Sequence, residues 1–123
     1  MIKKNVLEKA VKVAKCSNVV RGKIGAVLFK DNGHIITRSC NTVLMGNNER
    51  TIHAEQFLLA KAFRIKALER YRNERLNILV VRWRKEDDAM ANAKPCNVCA
   101  ELLRSAGLPV YYSNEFGEIE KFV

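Results

Sequence analysis

At 123 residues, with 48% hydrophobic and 28% charged side chains, the chain suits one globular domain over residues 1–123 rather than a disordered segment. No apolar run approaches the ~20 residues needed to span a bilayer, so a membrane partner is not expected. The formal net charge of +9 favours anionic partners: nucleotides, nucleic acid or an anionic surface.

In chain order, Met1-Ile2-Lys3-Lys4 is basic but has no apolar signal core behind it, and the expected location is the cytoplasm. Val6, Leu7, Ala10, Val11, Val13 and Ala14 recur at helical spacing and predict an amphipathic helix over residues 3–16, closed by Ser17-Asn18. Residues 23–30 and 34–39 read as two strands joined by the turn signal Asp31-Asn32-Gly33. An irregular Asn- and Gly-rich segment, residues 40–50, follows, in a place where binding residues are common. Thr51 can cap a second helix, whose apolar stripe extends to about residue 72.

Residues 76–83 are almost continuously apolar, as expected of a central strand covered on both faces. Residues 84–94 form a polar connection. Pro95 suits the first position of a third helix, which stops at Gly107. Residues 109–112 and 118–123 complete the pattern as a short strand and an antiparallel return. The expected fold class is therefore α/β: a three-layer α/β/α arrangement with a mixed five-stranded sheet and helices on both faces. Right-handed connections place the second and third helices side by side.

Four cysteines in a cytosolic chain point to metal or catalytic use rather than disulfides. Only Cys96 and Cys99 have ligand spacing; Cys16 and Cys40 read as small buried hydrophobes. Cys96 and Cys99 open one helix, where the dipole and free N–H groups favour thiolates, and His53 and Glu55 open another. One imidazole, two thiols and one carboxylate make the inventory of a zinc ion with an open position and a proton shuttle beside it. Glu55 could instead be a fourth ligand, which would make the site structural. His34 reads as a strand or turn histidine.

His53-Ala54-Glu55 followed by Pro95-Cys96-Asn97-Val98-Cys99 resembles the H-x-E…P-C-x-x-C signature of zinc-dependent cytidine and deoxycytidylate deaminases. The resemblance covers roughly residues 6–112 and implies a cytidine deaminase-like fold. It implies Zn2+ held by His53, Cys96 and Cys99, with Glu55 as catalytic proton shuttle for a zinc-bound hydroxide that turns cytosine into uracil. Asn41, the backbone at Ala54 and Cys96, and Tyr112 are implied substrate contacts.

Cys99-Ala100-Glu101-Leu102 is more similar to the deoxycytidylate type, whereas the strand-and-return ending is more similar to free-cytidine enzymes. No counterpart of the allosteric nucleotide motif of regulated deoxycytidylate enzymes is found. The implied substrate is a cytosine-containing nucleoside or nucleotide, and the implied assembly a homo-oligomer. Two alternatives stand beside this. Positive charge clusters in residues 3–23, where Glu8 is the single acid, and again in residues 61–85. Those clusters fit a deaminase of single-stranded DNA or RNA, or a non-enzymatic zinc-stabilised domain that binds nucleic acid. Trp83, Tyr111, Tyr112 and Phe116 are the stacking candidates, with strand-face packing the plainer reading of Trp83 and Tyr111.

Overall fold

A computed structural model describes residues 2–19, 22–44 and 50–122, the side chains of residues 44, 50 and 51 excepted. Arg21 of the first basic cluster and residues 45–49 of the expected irregular segment lie outside the described residues. The elements run α1 (Lys4–Lys15), β1 (Lys23–Lys30), β2 (Ile35–Cys40), β3 (Thr42–Leu44), β4 (Arg50–Ile52), α2 (Ala54–Arg64), α3 (Ala67–Arg70), β5 (Leu76–Arg84), β6 (Ala89–Ala91), α4 (Asn97–Ala106), β7 (Val110–Ser113) and β8 (Ile119–Phe122).

Strand β5 is the axis of the sheet, whose order is β2-β1-β5-β7-β8. It pairs antiparallel with β1 from Lys23↔Trp83 to Lys30↔Leu76, and parallel with β7 through Ile78↔Val110. Its apolar run follows from burial on both sides. Leu76, Ile78 and Val80 join one core with Ala26 and Leu28 of β1, Ala54, Leu58 and Ala62 of α2, and Leu103 of α4. Leu79 and Val81 join a second core with Val27, Phe29 and Val6, Ala10 and Ala14 of α1. The period-two alternation along β1 and β5 thus puts α1 on one face and α2 to α4 on the other. Each fully buried Leu, Ile or Val, such as Leu28 or Ile78, contributes about 1.5–3 kcal/mol.

Gly25 sets how closely α1 lies on the sheet. A Cβ there would stand 2.4 Å from the Ala10 carbonyl oxygen and 2.6 Å from the Ala14 nitrogen. Only glycine admits that approach.

The five expected strands form the main sheet in the expected mixed pattern, and four details differ. The expected long second helix is two, because Lys66 adopts a left-handed φ of 55° and breaks it between α2 and α3. The polar connection contains β6, paired with β5 through Arg82↔Ala91. Part of the irregular segment forms an antiparallel ribbon, β3 with β4, in the register Thr42↔Ile52. Cys16, expected to be buried, is exposed as the residue capping the end of α1, where the helix leaves the sheet. No described helix is long and apolar enough to cross a membrane.

Candidate active site

Two helix starts converge on the face opposite α1. His53, at the cap of α2, has the extended backbone of a cap residue (φ −71°, ψ 146°), and its N–H donates to Gln56 Oε1 at 3.3 Å. Cys96 caps α4 in the same way (φ −68°, ψ 169°), and its carbonyl accepts the first helical bond from Ala100 N–H at 2.7 Å. The cap positions are therefore His53 rather than Thr51, and Cys96 rather than a residue before Pro95. In each case the candidate ligand residue itself makes the turn into the helix. Cys99 follows three residues into α4, which sets both sulfurs on one side.

His53 Nδ1 lies 3.3 Å from Cys99 Sγ and 3.8 Å from Cys96 Sγ, and all three donor atoms fall within 4.8 Å of one another. Cys99 is fully buried, His53 half-buried and Cys96 exposed, so the group opens to solvent on one side. One imidazole and two thiols suit a borderline-soft divalent metal, and among the described residues no fourth ligand joins them.

Glu55 sits in the first turn of α2, 3% exposed, and its Oε1 is buried without a hydrogen-bond partner. Burial pushes its carboxyl above the usual carboxylate range, against a backbone hydrogen bond, the charge of His53 and a hydrogen bond from Cys99. The unpaired oxygen is a place for a proton or for a water the site must bind, because a buried acceptor without a partner is costly. Burial likewise pushes the Cys99 thiol up, reinforced by Glu55 and Cys96. A divalent cation among the three donors would reverse that balance, since coordination deprotonates a thiol outright.

Asn41 is 5% exposed and heavily committed. Its Oδ1 accepts from Ile24 N–H at 2.9 Å and from Ser17 Oγ–H at 2.7 Å, and its Nδ2 donates to the Gly22 carbonyl at 2.8 Å. It stands one residue before the pair Thr42↔Ile52, between β2 and β3, and β4, the partner of β3, leads into His53. Sequence reasoning gave Ser17 and Asn18 only a helix-ending role. In the fold Asn18 pairs with Val43 in both directions, Nδ2 donating to the carbonyl at 3.1 Å and Oδ1 accepting from the N–H at 2.7 Å. The signal was a pair of side chains that mimic backbone hydrogen bonding, placed just after a helix.

Ala54 is fully buried in the core beneath the site. Tyr112 packs edge-on against Phe122 with ring centroids 6.2 Å apart and lies beside the same core. Trp83 and Tyr111 face the α1 core, where Lys15 Nζ stands 5.0 Å from the Trp83 ring; Phe116 is exposed. His34 is an exposed hairpin residue.

A family profile described as "Cytidine and deoxycytidylate deaminase zinc-binding region" matches residues 1–113. Among solved structures, a cytidine deaminase from Burkholderia pseudomallei is similar at 21% identity and TM-score 0.69, over 99% of this chain and 92% of that one. A dCMP deaminase from the cyanophage S-TIM5 aligns at 24% identity and TM-score 0.60, over 93% and 86% of the two chains. A cytidine deaminase from Mycobacterium leprae aligns at 18% identity and TM-score 0.60, over 93% and 87%. No curated protein matches at a significant level. At these identities the likeness carries the fold, whereas the profile spans most of the chain and both helix starts: the chain belongs to the cytidine and deoxycytidylate deaminase family.

Proposed function

We propose that this protein is a zinc-dependent hydrolytic deaminase that converts the cytosine of a nucleoside or nucleotide into uracil. The observation that carries the reading is the meeting of His53, Cys96 and Cys99 beside a buried Glu55 whose Oε1 has no partner. His53 Nδ1 and the two sulfurs would hold the ion, which when bound lowers the pKa of water and makes it a nucleophile at neutral pH.

The protein's own part in the reaction is proton traffic and exclusion of solvent. Glu55 Oε1 takes a proton from the water that adds to C4 of the base and delivers it to N3. The carboxylate so regenerated takes the remaining proton of the added hydroxyl and hands it to N4 as the C4–N4 bond breaks, so that water and cytosine become uracil and ammonia. A carboxyl that burial keeps above its ordinary range suits a group that must both accept and return a proton. Buried Ala54 and Cys99 close the floor of the site. Both thiols must stay reduced to bind the ion, which fits the cytoplasm.

The single-stranded polynucleotide reading and the non-enzymatic reading are separated from this one by substrate. Cytidine, deoxycytidine, their monophosphates and a cytosine-bearing oligonucleotide, incubated with the zinc-loaded protein, should yield uracil from at least one monomeric compound. Uracil from the oligonucleotide alone, suppressed steeply by salt, would select the polynucleotide reading. No uracil from any of them would leave the non-enzymatic reading. We also propose that copies self-associate, which sedimentation velocity tests by a mass above that of one 14.0 kDa chain.

A further inference from the structure

Between α1 and the edge strand β2 runs a groove of about 460 Å3, lined by Asn5, Glu8, Lys9 and Lys12 of the helix and Ile35 and Arg38 of the strand. The register explains why these residues meet. Arg38 lies opposite Val27, which packs against α1, so the arginine stands on the α1 face of the sheet. Asn5, Lys9 and Lys12 follow one another at helical spacing along a single side of α1. The candidate active site is on the other face, with α2 and α4.

The groove is positive and uncompensated. Lys12 and Arg38 are exposed and Lys9 is half-buried, and among the described residues none of the three has an acidic partner. Glu8, the one acid in the lining, stands 3.8 Å from Lys4. Lys3 carries the charge past the helix start: a Cβ on Gly33 would stand 2.7 Å from its Cδ, so its side chain lies over the hairpin turn. The walls are fastened at both ends. Asn5 Nδ2 donates to the Gly33 carbonyl at 3.0 Å, and Ser17 Oγ donates to the Asn41 carbonyl at 2.6 Å. A ligand would find the groove already formed, with little ordering left to do.

The arrangement of the cations selects the class of anion. They are strung along a helix of 12 residues, roughly 18 Å, rather than converging on one point as a lone phosphate or carboxylate requires. A chain of regularly spaced anions meets them one after another. A single strand can bend into a recess between a helix and a strand, whereas a duplex stays straight over about 150 base pairs. Among the described residues no aromatic side chain lines the groove, so bases have nothing to stack on and the contact is to the backbone. We propose that this groove docks the phosphodiester backbone of a single-stranded nucleic acid, whatever its sequence, apart from the candidate active site. The inference does not rest on the deaminase reading.

The test is binding of a short fluorescent oligothymidylate, which offers no cytosine to the candidate active site, followed by anisotropy between about 50 and 200 mM salt. Wild type is compared with the groove variant Lys9→Gln/Lys12→Gln/Arg38→Gln. A control, Arg64→Gln/Arg70→Gln/Arg72→Gln, removes the same charge from exposed positions elsewhere. In wild type the logarithm of the affinity should fall against that of salt with a slope of about −2 to −3, three or four phosphates at about 0.7 each. The groove variant should bind about 10-fold more weakly at the low-salt end and flatten the slope by about 2, while the control matches wild type. Turnover of the best monomeric cytosine compound should be the same in the groove variant as in wild type.

No binding of oligothymidylate at low salt, or equal weakening by the groove variant and the control, overturns the proposal. So does binding of phosphatidylcholine vesicles containing phosphatidylserine in place of the oligonucleotide, or a duplex held as tightly as the single strand. Turnover lost in a folded groove variant overturns the separation from the active site. If no cytosine compound is deaminated at all, the deaminase reading fails and the binding comparison still decides this one. If the groove variant does not fold, Lys12→Gln/Arg38→Gln, both at exposed positions, takes its place and should flatten the slope by about 1.4.

Discussion

His53 Nδ1 and Cys99 Sγ approach to 3.3 Å although 46 positions separate them, and neither residue would serve this purpose on its own helix alone. The contact exists because α2 and α4 share one face of the sheet and begin at the same place. Replacing any one of the three donors, by His53→Ala, Cys96→Ser or Cys99→Ser, should weaken zinc binding by more than the ~10- to 100-fold that loss of an outer partner costs. Zinc per chain after dialysis against a competing chelator measures this. In the wild type, zinc at 100 times its Kd should raise stability by about 2.7 kcal/mol, and that increment should vanish in each variant.

Gly25 is the second point where sequence choice is forced. In Gly25→Ala the new methyl meets the Ala10 carbonyl and the Ala14 nitrogen, both backbone atoms of α1 that cannot turn aside. The helix must lift from β1 or the strand must bend, at a cost of about 1–3 kcal/mol. A urea melt should show a lowered midpoint with little change in slope.

Ser17 and Asn18 fasten the end of α1 to the strand that precedes the site. Asn18→Ala removes both hydrogen bonds to Val43 and should cost roughly 1 kcal/mol, because the pair is exposed. Ser17→Ala should cost more, about 1–3 kcal/mol, since it takes the buried hydroxyl donor from the Asn41 carbonyl and leaves Asn41 Oδ1 with Ile24 N–H alone. Denaturant midpoints rank the two. Weaker zinc binding in both would show that the ribbon of β3 and β4 positions His53.

The order of helices and strands was legible because the two hydrophobic periods are clean. Val6, Ala10 and Ala14 mark one helical face, and the run from Leu76 to Val81 can only be a strand buried on both sides. The candidate trio of His53, Cys96 and Cys99, which the fold brings together, was legible because spacing in Cys96–Cys99 and the company of Glu55 beside His53 are chemical patterns.

Three features were not legible. The break at Lys66 depends on a left-handed backbone that no glycine announced. The β3–β4 ribbon is held partly by Asn18, a contact 25 residues away in sequence. The two strand arginines Arg82 and Arg84 look alike in sequence. Only the fold shows that one is paired with Asp87 and the other lies against Gly22.

If Glu55 moves the proton beside a metal held by His53, Cys96 and Cys99, uracil release should depend on its carboxyl, and Glu55→Gln removes only that. The amide keeps the shape of the side chain but cannot take a proton, so turnover of the best cytosine substrate should fall by about 10²- to 10⁴-fold while one zinc per chain is retained. A variant that releases uracil within a few-fold of the wild-type rate would contradict the account.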